Sequence, residues 1–479
     1  LQKLMRTWVK NNPKPNGEEY NIFKDGLKIY VTIDSRMQKY AEEAVTEHMA
    51  NLQSYFFKEQ KYNRTAPFYD LEKEQIDRIY QRAKRNSDRY KRLKAVGKTT
   101  KEINKIFSTK TKMKVFSWKG VRDTVMSPND SIKYYKHFLR SGLLSITPQT
   151  GHIKAWVGGI NNKFFKYDAV AQQKRQVGST FKPFVYATAI NQLRMSPCDK
   201  LPNIRYTIPK GKYGIPEAWT PDNSSEKYGG MLTLKEGLAG SINTISANLI
   251  DKVAPENVVR LAKASGIETK IKSNPSIALG AVDLSLLEMV SAYSTFANRG
   301  LRVKPMIITR IEDKNGTVLK DFVSETQEVL SEESAYVILN LLEGVTQSGS
   351  GIRLRTDWSS GGGAVTGFPY NFTNPIAGKT GTTQNQSDGW FMGIVPNLAT
   401  GVWTGGEDRA THFAGIAKGQ GATMSLPTWA LFMKKCYADE SLNISMEEFE
   451  KPEQLTIDIN CNKIEEEDIQ TLPEDDTDF

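Results

Sequence analysis

Apolar and polar positions change period several times along the chain, and each change marks an element. LKIYVTI (27–33) alternates in twos, the period of a strand. SRMQKYAEEAVTEHMANLQ (35–53) switches to apolar positions three and four apart, a helix that Ser35 is placed to cap. Helical spacing returns from about 71 to 94, with breaks at Gly97 and again near Ser108. SGLLSITPQTGHIKAWVGG (141–159) reads as two strands around a turn from Pro148 to Gly151. Helical patterns dominate 179–194, 233–265 and 284–298, and two late strands, GWFMGIV (389–395) and TGVWTGG (400–406), flank the turn PNLA. NNPKPNG near the start is linker-like, and no internal repeat is found. A helical group with an antiparallel sheet predicts an α+β core.

A chain of 479 residues suggests two or three domains. It opens on Leu1, which suggests a fragment or processed form, and no apolar run reaches the roughly 18 residues of a membrane span. The formal charge of +10 is not spread evenly. Residues 51–120 hold 19 Lys and Arg against 7 Asp and Glu, while the rest of the chain holds 45 against 47. Such a segment could meet nucleic acid or an anionic membrane. Its interspersed acids and helical period favour a solvated helical insertion, about 56–114, outside any active site. Its apolar residues Phe57, Tyr69, Ile76, Ile79, Tyr90 and Leu93 are too few for a core of their own and are expected to dock on the linker side. The last residues, 458–479, include EEED and PEDDTDF and read as an acidic, flexible tail. Cys198, Cys436 and Cys461 show no C-x-x-C or zinc spacing; Cys436 and Cys461 could pair in an oxidising space, and the spacing does not decide it.

Three short stretches carry candidate chemistry. In QVGSTFKPFVYATAI (176–190), Pro183 is tolerated only near a helix start, so the helix begins close to Ser179. A spacing of three then puts Ser179 and Lys182 on one face, at the positive end of the macrodipole. A lysine desolvated there could take a proton from the serine and make it a nucleophile. Alone, an S-x-x-K match is common and equally fits a surface pair. In TLKEGLAGSINTISANLIDKV (233–253), Thr233 and Glu236 form a capping box, and Ser241-Ile242-Asn243 falls between two helices. There Ser241 and Asn243 can share a cleft while Ile242 anchors in the core; a plain helix-turn cap is the alternative. AGKTGTTQNQSDGWFMG (377–393) invites a P-loop reading that fails, because position 373 is Thr where glycine is needed. Read as a strand, it puts Lys379 and Gly381 on one face, a cation beside a bare edge that an extended peptide could join. His48, His137, His152 and His412 neighbour no nucleophile, and neither G-x-S-x-G nor H-E-x-x-H occurs.

The order S-T-F-K, S-I-N, K-T-G resembles the motif trio of penicillin-binding proteins and class A β-lactamases. The flanks, including WTPDN (219–223), GAVDLSLLEMVSAYSTFANRG (280–300) and DGWFMGIVPN, are similar to the transpeptidase domain of bifunctional, class A penicillin-binding proteins. DGLKIYVTIDSRMQKYAEEAV (25–45) resembles the linker that follows their glycosyltransferase domain. The likeness covers roughly 25–54 and 130–436, leaving out the basic insertion and acidic tail.

The resemblance implies an antiparallel five-stranded sheet flanked by helices, the penicillin-binding protein/β-lactamase-like transpeptidase fold. Residues 1–138 would form a linker region with the helical insertion, 139–437 the transpeptidase domain and 438–479 a C-terminal extension. It implies Ser179 as nucleophile, Lys182 as its base, Ser241 as proton relay, Asn243 on the peptide amide and Lys379 supporting Ser241. Thr380, Gly381, Thr382, Thr383, Trp219 and Asn223 would line the substrate, and the N–H groups of Ser179 and Thr382 would form an oxyanion hole. The middle motif departs as Ser-Ile-Asn from Ser-Asp-Asn, with no catalytic loss expected because Ile242 points away.

The implied partners are peptidoglycan stem peptides as D-Ala-D-Ala donor and amine acceptor, with β-lactams as covalent inhibitors and cell-wall synthesis proteins as candidates. No cofactor, metal or nucleic acid is expected. The location would be the extracytoplasmic (periplasmic) face of the cytoplasmic membrane, with anchor and glycosyltransferase upstream of Leu1. A D,D-carboxypeptidase, using water as acceptor, and a non-enzymatic β-lactam sensor share these motifs; a β-lactamase would need a deacylating base and a shorter chain.

Overall fold

The computed structural model describes residues 1–355 and 365–461. At its centre is a five-stranded antiparallel sheet in the order Ala377–Thr382, Asp388–Val395, Leu398–Gly405, Arg140–Ile146, Ile153–Val157. Side chains along a strand alternate between faces. Here both faces are covered, so the two strands from 388 to 405 are buried at every position. Trp390, Met392 and Ile394 point into one core with helices Lys182–Leu193, Leu286–Ala297 and Glu332–Gln347. Phe391, Val395 and Val402 point into the other, against helices Ser35–Gln60 and Leu426–Ala438.

The predicted strands and helices of this core are present, with shifted ends. The first long helix is capped by Asp34, not Ser35, because the Asp34 carboxylate accepts from the N–H groups of Arg36 and Met37. It runs on to Gln60, since Leu52 and Phe56 keep the apolar face buried. This helix lies against the sheet and against helix Leu426–Ala438.

The basic segment is helical over Lys73–Asn86, Asp88–Ala95 and Thr100–Ser108, but it ends in a hairpin, Thr111–Val115 against Arg122–Met126. TKMKV alternates lysine with apolar side chains, a two-residue period that a wholly helical reading overlooks. Its buried apolar residues include Phe56, Phe68, Ile103, Phe107, Val115 and Phe116, whereas Phe57 is 37% exposed. Helices Lys73–Asn86 and Thr100–Ser108 pack on helix Pro128–Lys136, and the segment also reaches the loop after strand Leu398–Gly405. Tyr69 N–H donates to Ala410 O at 2.8 Å and Arg82 pairs with Asp408 at 3.2 Å, beside Lys136 of helix Pro128–Lys136, which sits 2.6 Å from both Glu407 and Asp408. These contacts are to the loop after strand Leu398–Gly405, so the insertion leans on the sheet's own loop.

The extension is a strap up to Cys461. Phe449 and Ile457 enter the core, and the Glu333 carboxylate accepts from Ile457 N–H at 2.9 Å and pairs with Arg194 at 2.7 Å. Cys198 is disulfide-bonded to Cys461 and Cys436 is a buried free thiol, which corrects the Cys436–Cys461 pairing. The acidic stretch 462–479 lies outside the described residues.

Candidate active site

The chain passes Ser179 in a 3-10 turn, Gly178–Phe181, followed by the α-helix Lys182–Leu193 with Pro183 in its first turn. Ser179 stays partly accessible while Lys182 is fully buried. A helix N-terminus and an apolar surround both disfavour a cation. The Lys182 amine is accordingly held well below the ordinary lysine value, by burial first and by the charge of Lys379 second. Its Nζ donates to the carbonyl of Ser241, to Ser241 Oγ at 3.2 Å and to Asn243 Oδ1 at 2.8 Å.

Ser241 and Asn243 come from the turn between helices Leu234–Ala239 and Asn243–Val253, the first opened by the Thr233–Glu236 capping box. Ser241 takes φ +56°, a left-handed backbone that a serine rarely adopts. Such strain concentrates where geometry serves chemistry. Ile242, between them, packs against the core as expected.

Lys379 lies on the edge strand Ala377–Thr382 and is also fully buried. Its Nζ donates to Ser241 Oγ at 3.0 Å and to Thr380 O at 3.1 Å. Burial pulls its pKa down to about 7. Ser241 Oγ thus stands between two amines, both easier to deprotonate than a solvated lysine. That arrangement can pass a proton.

The structure brings Lys182, Ser241, Asn243 and Lys379 into one hydrogen-bonded cluster, with Ser179 one turn before Lys182. Thr380 Oγ1 donates to Ser350 Oγ at 2.6 Å, and Thr382 Oγ1 accepts from Gly421 N–H at 3.0 Å. Three other expected substrate positions have partners within the chain. The bare face of Gly381 meets Val177 O and Thr180 Cγ2, each 2.8 Å from a Cβ placed there, so it admits the turn that carries Ser179. Thr383 is buried, its Oγ1 accepting from Asp388 N–H at 3.0 Å. Asn223 is buried too: its Oδ1 accepts from the N–H groups of Asn243 and Thr244 at 3.0 and 3.1 Å. It braces the Ser-Ile-Asn turn where a substrate contact was expected. Trp219 is half-buried against the core, bridged to Ile208.

Several supports escaped the sequence reading. A Cβ at Gly280 would stand 1.9 Å from Gly178 O, so only glycine lets these two backbones meet behind Ser179. Tyr293 O–H donates to Thr180 O at 2.6 Å. Arg175 Nε donates to Asp388 Oδ1 at 2.5 Å, and Trp390 Nε1 to Gln176 O at 2.8 Å, tying the segment before Ser179 to strand Asp388–Val395. Asp388 stands in the quoted stretch 377–393 and Arg175 just before 176–190, but nothing in their spacing pairs them.

Comparison with known proteins agrees with this geometry. The family model described as penicillin binding protein transpeptidase domain matches residues 143–407. A second, the penicillin-binding protein middle domain, matches 63–139, so the likeness extends through the basic segment left outside it above. Penicillin-binding protein 1A of Aquifex aeolicus (strain VF5) is 30% identical over 455 residues, covering 91% of this chain and 57% of that protein. The same-named protein of Neisseria meningitidis serogroup A is 30% identical over 303 residues, 62% of this chain and 36% of that protein. The chain therefore spans about half or less of the length of these curated relatives. Among solved structures, penicillin-binding protein 1A from Haemophilus influenzae superposes with a TM-score of 0.65 at 22% identity, covering 94% of this chain and 71% of that one. PonA1 from Mycobacterium tuberculosis gives 0.61 at 20% identity, covering 96% and 94%. With its five-stranded sheet, its lysine–serine–asparagine cluster and these matches, the chain belongs to the penicillin-binding protein transpeptidase family.

Proposed function

We propose that this chain is a D,D-transpeptidase that cross-links peptidoglycan stem peptides through an acyl-enzyme on Ser179. The observation that carries this reading is the buried Lys182 amine, depressed by desolvation, one turn from a partly accessible serine and aimed at Ser241 and Asn243.

In this mechanism Ser179 Oγ attacks the penultimate D-Ala carbonyl while neutral Lys182 takes its proton. The N–H groups of Ser179 and Thr382 hold the oxyanion. Contact between Gly178 and the Thr382 carbonyl, 2.7 Å from a Cβ built at Gly178, supports their closeness. Collapse breaks the amide, and the leaving D-alanine amine takes a proton from Ser241, which Lys182 and Lys379 resupply. Thr380 and Thr382 serve the substrate carboxylate, Asn243 the peptide amide. An amine of a second stem peptide then attacks the ester and frees Ser179.

The disulfide supports an oxidising, extracytoplasmic location. Among the described residues no helix is long and apolar enough to cross a membrane. In the longer protein that the relatives suggest, this chain would supply the peptide cross-linking half of a membrane-anchored bifunctional synthase.

Intact mass after incubation with a β-lactam should show one stoichiometric, slowly lost adduct, and peptide mapping should put it on Ser179. Lys182→Ala should slow acylation by roughly a thousandfold or more. An adduct elsewhere, or none on folded protein, would refute the assignment. Product analysis with a stem-peptide donor and an added amine separates cross-linking from simple hydrolysis.

A further inference from the structure

Far along the chain from the catalytic motifs, a groove of about 750 Å³ opens between helix Ser35–Gln60, the turn Ser117–Gly120 and helix Pro128–Lys136. Aromatic rings make its floor. Phe57 meets Phe138 edge-on at 5.7 Å, Tyr134 meets Phe138 at 5.1 Å, and Trp118 closes one side. Trp118 Nε1 is buried and has no hydrogen-bond partner among the described residues. A buried indole N–H ordinarily finds an acceptor. The groove stays open to solvent, with Phe57 37% and Val121 51% exposed.

Lys58, Lys61, Lys119 and Arg122 stand around this floor. None is in an ion pair among the described residues, although many other cations of this chain are. Lys58 lies over the Tyr55 ring at 5.3 Å and Arg122 over Tyr134 at 5.9 Å, which keeps their charges at the edge of the apolar surface.

We propose that this groove is a docking site for an acidic amphipathic segment of a partner protein, its apolar side chains on the rings and its carboxylates on the cations. Concavity and charge together select that occupant. A bilayer is entered by apolar side chains that project from a convex face, and here they line a hollow. A polyanion without apolar groups would satisfy the cations and leave the aromatic floor wet. A peptide with apolar anchors at helical spacing fills both.

The test pans a random displayed-peptide library on the whole chain and on two surface variants, Lys119→Glu/Arg122→Glu and Val121→Asp. Fluorescence anisotropy of the selected peptides is then read at rising salt. We expect acidic peptides with spaced apolar residues, an affinity that falls about tenfold or more in both variants, weakening with salt, and unchanged β-lactam adduct formation. Peptides without that pattern, or binding that neither variant alters, would overturn the proposal. So would variant-sensitive binding of phosphatidylglycerol vesicles or of a single-stranded oligonucleotide with no peptide selected.

Discussion

Replacing Asp388 by Asn removes one charge from a buried pair and changes little else in shape. Asp388 is 1% and Arg175 9% exposed at the side chain, with Nε and Oδ1 2.5 Å apart. Trp403 Nε1 also donates to Oδ1, at 2.9 Å, while Arg175 Nη1 and Nη2 reach only the carbonyls of Glu407 and Ser387 at 3.3 and 3.5 Å. The variant therefore strands a guanidinium among neutral groups. Breaking a buried pair in this way costs about 3–5 kcal/mol, a large part of the roughly 5–15 kcal/mol that holds a domain folded. Urea unfolding followed by tryptophan fluorescence should register a loss of that order. Removing both charges with Arg175→Met/Asp388→Leu should recover most of it, because the desolvation penalty disappears with the attraction. Acylation should fall as well in Asp388→Asn, since Arg175 lies just before the turn that carries Ser179. An Asp388→Asn protein of ordinary stability, or a double variant as unstable as the single one, would refute the reasoning.

Burial holds Lys379 near a pKa of about 7, so the unfolded chain binds the extra proton between there and the ordinary lysine value. Stability should therefore rise with pH across that window, by at most about 1.4 kcal/mol per unit from this residue, and Lys379→Met should rise less steeply in urea titrations at pH 7 and 9. Glu343 behaves in the opposite sense: burial raises its carboxyl to about 7, so stability should drain away from pH 4.5 towards 7, and Glu343→Gln should be the more stable protein at pH 8. Cys461→Ser opens a link across 263 residues and should lower stability by about 2–4 kcal/mol, with a dithiol reagent lowering the wild type alone. Glu333 feels burial acting to raise its pKa, but the N–H of Ile457, the Arg194 cation and Thr456 outweigh it and hold the carboxylate at about 2. Glu333→Gln should accordingly loosen the strap, read as faster amide exchange at Thr456 and Ile457.

Much of the candidate site was legible because its parts are local. Ser179 and Lys182 share a turn, Thr233 caps its own helix three residues on, and the strands around PNLA alternate on a two-residue period. Hydrogen bonds and side-chain faces within one turn or strand follow from spacing alone. The hairpin at 111–126 was missed for a related reason: five residues of alternating lysine carry a weak signal beside longer helical runs.

What the tertiary structure alone decided are the contacts between distant segments. The three motifs meet because the turn at Ser241 and the edge strand at Lys379 converge on Lys182, across 59 and more residues. Asn223 bracing Asn243, Arg175 finding Asp388 across 213 residues and Cys198 choosing Cys461 over a buried Cys436 belong with them. No period or neighbour marks such a pair in a single chain. Gly381 shows the limit most plainly: spacing placed a bare position on an edge strand, but only the packed fold shows that its neighbour is the turn that carries Ser179. Local order is written into spacing, whereas which surfaces meet depends on burying the whole apolar face of the sheet at once.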